Sequence, residues 1–243
     1  MVVPDLPGFG ASPPLSPGFR LPEVRDLILG LLDALELERV DLVGHSLGGA
    51  LAIATTLAAP HRIRRLALVS PIAITRMRGR PNWIHPSLDW PARVLGPLAV
   101  RLADSPRMAR MLISGAVRAP AEIEPRLRRE LIVDSFRARR STAAGFDSIR
   151  RRLPLRDLPD SLPVLAIWGE RDTVTEAQRP VFEHALPAAR SVVIRGSGHA
   201  PMLDRPVEVL ELLQEFLGDE RWGVRAPARP RGAPSPRPSG GRP

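Results

Sequence analysis

The stretch Val40-Asp41-Leu42-Val43-Gly44-His45-Ser46-Leu47-Gly48-Gly49 decides how this chain folds. Val40 to Val43 reads as a short strand ending at Gly44. Leu47 to Ala59, rich in small and apolar residues, reads as a helix stopped by Pro60. Between them stands Gly44-x-Ser46-x-Gly48. A serine caught between strand and helix must sit in a tight, strained turn. A side chain two residues before or after it is expected to clash, so glycine is required at both places. The turn lifts the hydroxyl clear of the sheet edge. It also leaves Ser46 at a helix N-terminus, where the unpaired N–H of Leu47 can face an oxyanion. The pentapeptide alone is a weak signal, and its strand-to-helix setting gives it weight.

Outward from this turn the chain alternates. Upstream, residues 22–37 place Val24, Leu27, Ile28, Leu31, Leu32 and Leu35 on one helical stripe, and Pro22 suits the first turn. Downstream, Leu66 to Val69 reads as a second strand. Residues 76–152 break the pattern, with short helical pieces punctuated by seven prolines and no convincing strand. They read as an inserted helical lid. Alternation resumes with a strand at Val164 to Trp168, a helix at Glu176 to Ala185, a strand at Ser191 to Ile194 and a helix at Pro206 to Leu217. In that last helix Val207, Leu210, Leu213 and Leu217 form the main apolar stripe, widened by Val209, Leu212 and Phe216. The strands are apolar without alternation, as in a parallel sheet covered on both faces. The expected fold is therefore α/β, a mostly parallel doubly wound sheet with a helical insertion. Residues 1–75 and 153–220 form the core, 76–152 the lid, and 221–243 a disordered Pro/Arg-rich tail too poor in apolar residues to fold.

A serine hydroxyl needs a base. Of the five histidines, His45 neighbours Ser46 and is expected to point away across the turn. His61 follows the helix-ending Pro60, His85 falls in the lid, and His184 lies within a helix. His199, in Gly196-Ser197-Gly198-His199, follows the last strand. In a doubly wound sheet, catalytic groups gather beyond the carboxyl ends of the strands, where both Ser46 and His199 stand. The imidazole needs an acceptor to fix its tautomer. Asp172, in Gly169-Glu170-Arg171-Asp172, also follows a strand and lies between serine and histidine in the chain. Glu170 is its nearest competitor. A purely capping or turn role for Asp172 stays open.

The composition limits other functions. The 243 residues contain no cysteine, which excludes disulfides and thiolate metal sites. A reducing cytoplasm is the default expectation, although a cysteine-free chain suits any compartment. All 35 basic residues are arginine, and the formal charge is +9. The excess is local: net +10 over residues 76–152 and +6 over 221–243, while the rest is acidic. No nucleic-acid-binding motif accompanies it. No apolar run approaches the roughly 18 residues that span a bilayer. The arginine-rich lid leaves room for an anionic substrate or a peripheral membrane contact.

These segments resemble the α/β-hydrolase superfamily, in its lidded branch of esterases, lipases, carbon–carbon bond hydrolases and cofactor-free haloperoxidases. Asp5-Leu6-Pro7-Gly8-Phe9-Gly10-Ala11-Ser12 is similar to the family's turn after the fourth strand. Gly44 to Gly49 resembles its nucleophile elbow, Trp168 to Asp172 its acid loop, and Gly198-His199-Ala200-Pro201 its histidine loop. The resemblance covers residues 1–218 and implies a triad of Ser46, Asp172 and His199. Serine at the elbow, where relatives have aspartate, argues against haloalkane dehalogenases and epoxide hydrolases. No metal or organic cofactor is implied. The lid of such an enzyme walls the acyl pocket, so Trp83, Trp90, Met108 and Met111 are candidate substrate residues. Packing of the lid onto the body is the competing use for them.

Only four residues precede Asp5, where the family has three earlier strands. The fold is therefore expected to be N-terminally truncated, either because the true start lies upstream or because the gene is shortened. The absent part would include the third strand and the loop that gives the second oxyanion N–H. Val2-Val3 is expected as a short strand without its inner partner, and the strand at Val40 is expected to have an open edge. Low stability and weak activity follow as expectations, testable against an upstream-extended chain. The leading function is a serine hydrolase that cleaves an ester or related acyl bond, or a carbon–carbon bond, through an acyl–Ser46 intermediate. Its substrate is expected to be a small apolar or carboxylate-bearing molecule. A catalytically impaired remnant acting as a binding protein stays open. So does an acyltransferase or perhydrolase on the same triad.

Overall fold

The computed structural model describes residues 1–16, 18–75, 101–102, 104–149 and 152–218. The chain enters its first helix, α1 (Leu21–Ala34), through Pro22 in the first turn. Among the described residues four strands follow: β1 (Val40–His45), β2 (Ile63–Val69), β3 (Val164–Gly169) and β4 (Arg190–Ile194). They form one parallel sheet in the order β1-β2-β3-β4. Helix α2 (Leu47–Ala58) links β1 to β2. Between β2 and β3 the described residues form α3 (Pro106–Ile113), α4 (Pro125–Arg137) and α5 (Arg139–Ser148). Helix α6 (Gln178–Ala185) links β3 to β4 and starts two residues later than the sequence predicts. The short α7 (Pro201–Asp204) and then α8 (Pro206–Gly218) complete it.

The strands have apolar residues on both faces because both faces are covered. Leu66, Leu68, Val164 and Ala166 pack with Ile53 of α2 and Phe182 of α6. The alternate positions, Ala67, Val69, Leu165 and Ile167, pack with Val209 and Phe216 of α8. At roughly 25 cal/mol per Å² of apolar surface removed from water, these two layers are the main stabilising contribution. Alternate residues of a strand point to opposite faces, so a doubly covered strand cannot show polar alternation.

Two expectations need correcting. In α8 the buried anchors are Val209 and Phe216, seven residues apart, while Val207 and Leu210 are exposed at 67% and 54%. The stripe that seemed to widen the apolar face is its centre. At the N-terminus, Val2 and Val3 form no strand and are exposed. Two residues without a neighbouring strand have no ladder to join. The open edge is found as expected. Among the described residues β1 pairs on one side only, with β2, and its Val43 is 45% exposed.

Residues 76–100 and the tail from 219 onward lie outside the described residues, so the sequence readings of those segments have no structural counterpart here. Among the described residues no helix is long and apolar enough to cross a membrane.

Candidate active site

Ser46 is held at φ 52° and ψ −114°, a conformation that non-glycine residues adopt only under constraint. Three backbone bonds impose it. The Ser46 N–H donates to Val69 O at 3.0 Å, and its carbonyl accepts from Ala50 N–H at 3.1 Å and Ile72 N–H at 3.3 Å. Gly44 is needed for the turn: a Cβ there would lie 2.4 Å from the Gly48 carbonyl oxygen. Gly48 is not crowded, since a Cβ there would meet nothing within 4 Å. The expected clash on that side falls one residue later. A Cβ on Gly49 would lie 2.8 Å from Cβ of Pro71. Leu47 is the first residue of α2, so its N–H has no partner within the helix.

The acid and histidine loops extend the parallel pairing of β3 with β4. Glu170 N–H donates to Ile194 O at 3.0 Å and Arg171 N–H to Ser197 O at 2.9 Å. The Glu170 carboxylate accepts from Gly196 N–H at 2.9 Å, so this competitor for the acid role is engaged in bracing the loop. The loops cross so closely that a Cβ on Gly169 would stand 1.9 Å from Gly198 O. Glycine at 169 is therefore a condition of the crossing.

This crossing brings the three expected residues together. His199 Nε2 is 2.8 Å from Ser46 Oγ, and His199 Nδ1 is 3.0 Å from Asp172 Oδ2. A carboxylate can only accept, so Nδ1 carries the proton and Nε2 is left to accept from the hydroxyl. His199 and Asp172 are both buried. Burial by itself would raise the Asp172 carboxyl. The His199 N–H and charge, the Thr175 hydroxyl and the Val174 N–H outweigh it and hold the pKa at about 2. Oδ1 accepts from Val174 N–H at 2.8 Å and Thr175 N–H at 3.1 Å, while Oδ2 also accepts from the Thr175 hydroxyl. Asp172 thus caps its own turn and faces the imidazole at once.

Two residues at this site were not read from the sequence as part of it. Thr175 is one; its signal was the Asp-x-x-Thr spacing typical of a side-chain-capped turn. His45 is the other. Its ring reaches the loop that carries His199, a contact the sequence did not suggest. Its Nε2–H donates to the His199 backbone carbonyl at 2.9 Å, and the two rings lie 5.1 Å apart. Burial and the neighbouring His199 push its pKa down to about 4, so it is neutral near pH 7. The loop bearing His199 runs across the carboxyl end of β1, so its main chain meets residue 45 while its imidazole meets residue 46.

The helices between β2 and β3 approach the site at two points. A Cβ on Gly145 of α5 would lie 2.6 Å from Cδ2 of Leu47, so α5 packs directly on the first residue of α2. Ala200, next to His199, joins the apolar cluster of Ala109, Ile113, Val117, Ile123 and Ile132. Of the residues expected to meet a substrate, Met111 stands 67% exposed on α3. Trp83, Trp90 and the side chain of Met108 lie outside the described residues. Among the described residues no group of three or more His, Asp or Glu is arranged to hold a metal ion.

Comparison with known proteins bears on the family and the fold. The model of the alpha/beta hydrolase family matches residues 1–212. The chain is 29% identical over 226 residues to a pimeloyl-[acyl-carrier protein] methyl ester esterase of Aeromonas hydrophila, covering 88% of this chain and 83% of that protein. Among solved structures, a 2-hydroxy-6-oxo-6-phenylhexa-2,4-dienoate hydrolase of a Rhodococcus species superposes with a TM-score of 0.63 at 26% identity, covering 89% of this chain and 79% of the other. A bacterial membrane phospholipase A superposes with a TM-score of 0.65 at 25% identity, covering 88% and 68%.

Proposed function

We propose a serine-nucleophile mechanism for this chain, which belongs to the alpha/beta hydrolase family and has its fold. Membership gives the coarse function, hydrolysis of a small molecule. The finer reading is cleavage of an ester or related acyl bond, or of a carbon–carbon bond beside a carbonyl, through an acyl–Ser46 intermediate. One observation carries it: the unbroken hydrogen-bonded line from Ser46 Oγ through both ring nitrogens of His199 to Asp172.

In the first half-reaction Ser46 Oγ attacks the carbonyl carbon while His199 Nε2 takes its proton. Asp172 stabilises the imidazolium without being protonated, in keeping with its depressed pKa. Negative charge on the former carbonyl oxygen faces the Leu47 N–H at the start of α2, where the helix dipole also favours it. The leaving group collects the proton from Nε2, and the acyl group stays on Oγ. In the second half-reaction His199 takes a proton from water as the water oxygen attacks the acyl carbon; the acyl carbon–Oγ bond then breaks, Oγ takes the proton from Nε2, and the acid product leaves. The same acyl-enzyme yields to an alcohol, thiol or peroxide when that acceptor reaches it first.

The helices between β2 and β3 are read as a lid over this site, because they touch both Leu47 and the loop after His199. Hydrolysis of p-nitrophenyl esters of graded acyl length tests the whole reading. Ser46→Ala and His199→Ala are expected to lower kcat at least about 10³-fold, with similar losses for each because the residues act as a unit. A Ser46→Ala chain as active as its parent would refute the nucleophile. A parent with no turnover but measurable ester binding would favour the binding remnant.

A further inference from the structure

Asp204 is a carboxylate that the triad does not use. It ends the short helix α7 and is only 8% exposed. Its two oxygens serve different parts of the chain. Oδ2 accepts from the N–H of Gly198 at 2.8 Å, the residue before His199. Oδ1 accepts from the N–H groups of Arg118 at 2.8 Å and Ala119 at 3.2 Å, in the turn that follows α3. Beside it, Ala200 N–H donates to Ala116 O at 2.9 Å. The residues on both sides of His199 are therefore tied to one short stretch of the helical segment, residues 116–119. Val117 and Ala200 lie in the same apolar cluster, which closes the contact on its other side.

We propose that Asp204 is a positioning residue that couples the helical segment to His199. The Gly198–Ala200 loop is held in reach of Ser46 only while residues 116–119 are seated on the Asp204 carboxylate. This inference rests on the triad reading above. The chemistry explains why a carboxylate stands there. One buried anion satisfies three backbone donors from two segments at once, and bonds to a charged acceptor are about twice as strong as neutral ones. If either segment leaves, a charge is stranded away from water, which disfavours the half-released state. The two segments therefore seat and release together. By reciprocity, a ligand that seats the helices also steadies the base, and one that displaces them withdraws it.

An asparagine at 204 keeps one carbonyl oxygen and turns an amide N–H toward the donors of the other segment. The test uses the full chain and reads amide hydrogen exchange and ester turnover together, well below the melting temperature. Asp204→Asn is expected to speed exchange about tenfold or more in both 116–119 and 198–200 while leaving β2 and β3 protected. It is expected to lower kcat by a similar factor with little change in KM, and Asp204→Glu is expected to recover part of that loss. Val117→Ala trims the apolar contact that residues 116–119 share with Ala200, leaves the Asp204 carboxylate in place, and serves if Asp204→Asn fails to fold. Faster exchange at 116–119 in Val117→Ala should then carry over to 198–200. Continued protection of 198–200 beside a loosened 116–119 would overturn the coupling, whatever the activity. Coupled exchange in a parent that turns over no ester would sink the triad reading instead.

Discussion

At the scale of single residues, the imidazole of His199 is located by contacts on three sides: Ser46 on Nε2, Asp172 on Nδ1 and His45 on the main-chain carbonyl. Thr175 acts one step further back. Its hydroxyl and its N–H both donate to the Asp172 carboxylate. Thr175→Val keeps the shape and removes the hydroxyl, so the carboxylate loses a bond of a kind worth roughly 1.5–3 kcal/mol when buried. We expect kcat/KM on an ester to fall about tenfold and the Asp172 pKa to move up from about 2. An unchanged kcat/KM would mean that Asp172 is held well enough by its other donors. Ser46, Asp172 and His199 were legible together because each follows the carboxyl end of a strand, β1, β3 and β4, of a parallel sheet. Thr175 and His45 were not legible in the same way. Their contacts depend on where the Gly198–Ala200 loop crosses, a long-range fact with no local pattern.

At the scale of elements, the turn after β1 offers a sharp comparison between two glycines of one motif. A Cβ at Gly44 would lie 2.4 Å from a backbone oxygen, whereas one at Gly48 has open space. Gly44→Ala should therefore unfold the turn or cost several kcal/mol. Gly48→Ala should stabilise α2 by up to about 1 kcal/mol, because alanine is the better helix former. Thermal melting of the two variants decides it, and equal losses would contradict this account of the turn. The motif spacing alone suggested that both positions were crowded. Which of them is crowded depends on how α2 departs from the strand, and Pro71 shifts the tight contact to Gly49. Element type was readable wherever the apolar pattern was strong, as in the helical stripe of α1 and the unbroken apolar run of β3. The facing of α8 was not, because seven apolar residues on two overlapping stripes leave the buried side to be chosen by β2 and β3. Val2-Val3 shows the reverse failure: residues of strand type stay irregular where, among the described residues, no strand lies beside them to pair with.

At the scale of the whole molecule, the site's electrostatics bind stability to pH. His45 has its pKa depressed from 6.5 to about 4, and Asp172 from 3.8 to about 2. In both cases the unfolded chain binds more protons than the folded one between the two values, so stability falls as pH falls. The His45 contribution is complete above pH 6.5 and is lost between about 6.5 and 4; the Asp172 contribution is lost only below about 3.8. His45→Gln can still donate to the His199 carbonyl but cannot titrate. We expect its urea midpoint to change less between pH 7 and 4.5 than that of the parent, by no more than about 3 kcal/mol in stability terms. An identical acid loss in both chains would contradict the assignment to His45. The central claim concerns the same assembly: strands β1, β3 and β4 deliver a serine, a carboxylate and an imidazole to one rim of the sheet so that the serine is activated. The most direct measurement is treatment of the full chain with a fluorophosphonate, followed by digestion and mass mapping. The account predicts one adduct, on the peptide bearing Ser46, formed at least about 10³-fold more slowly in His199→Ala. Absence of an adduct in the folded parent, or an adduct on any other serine, would contradict it.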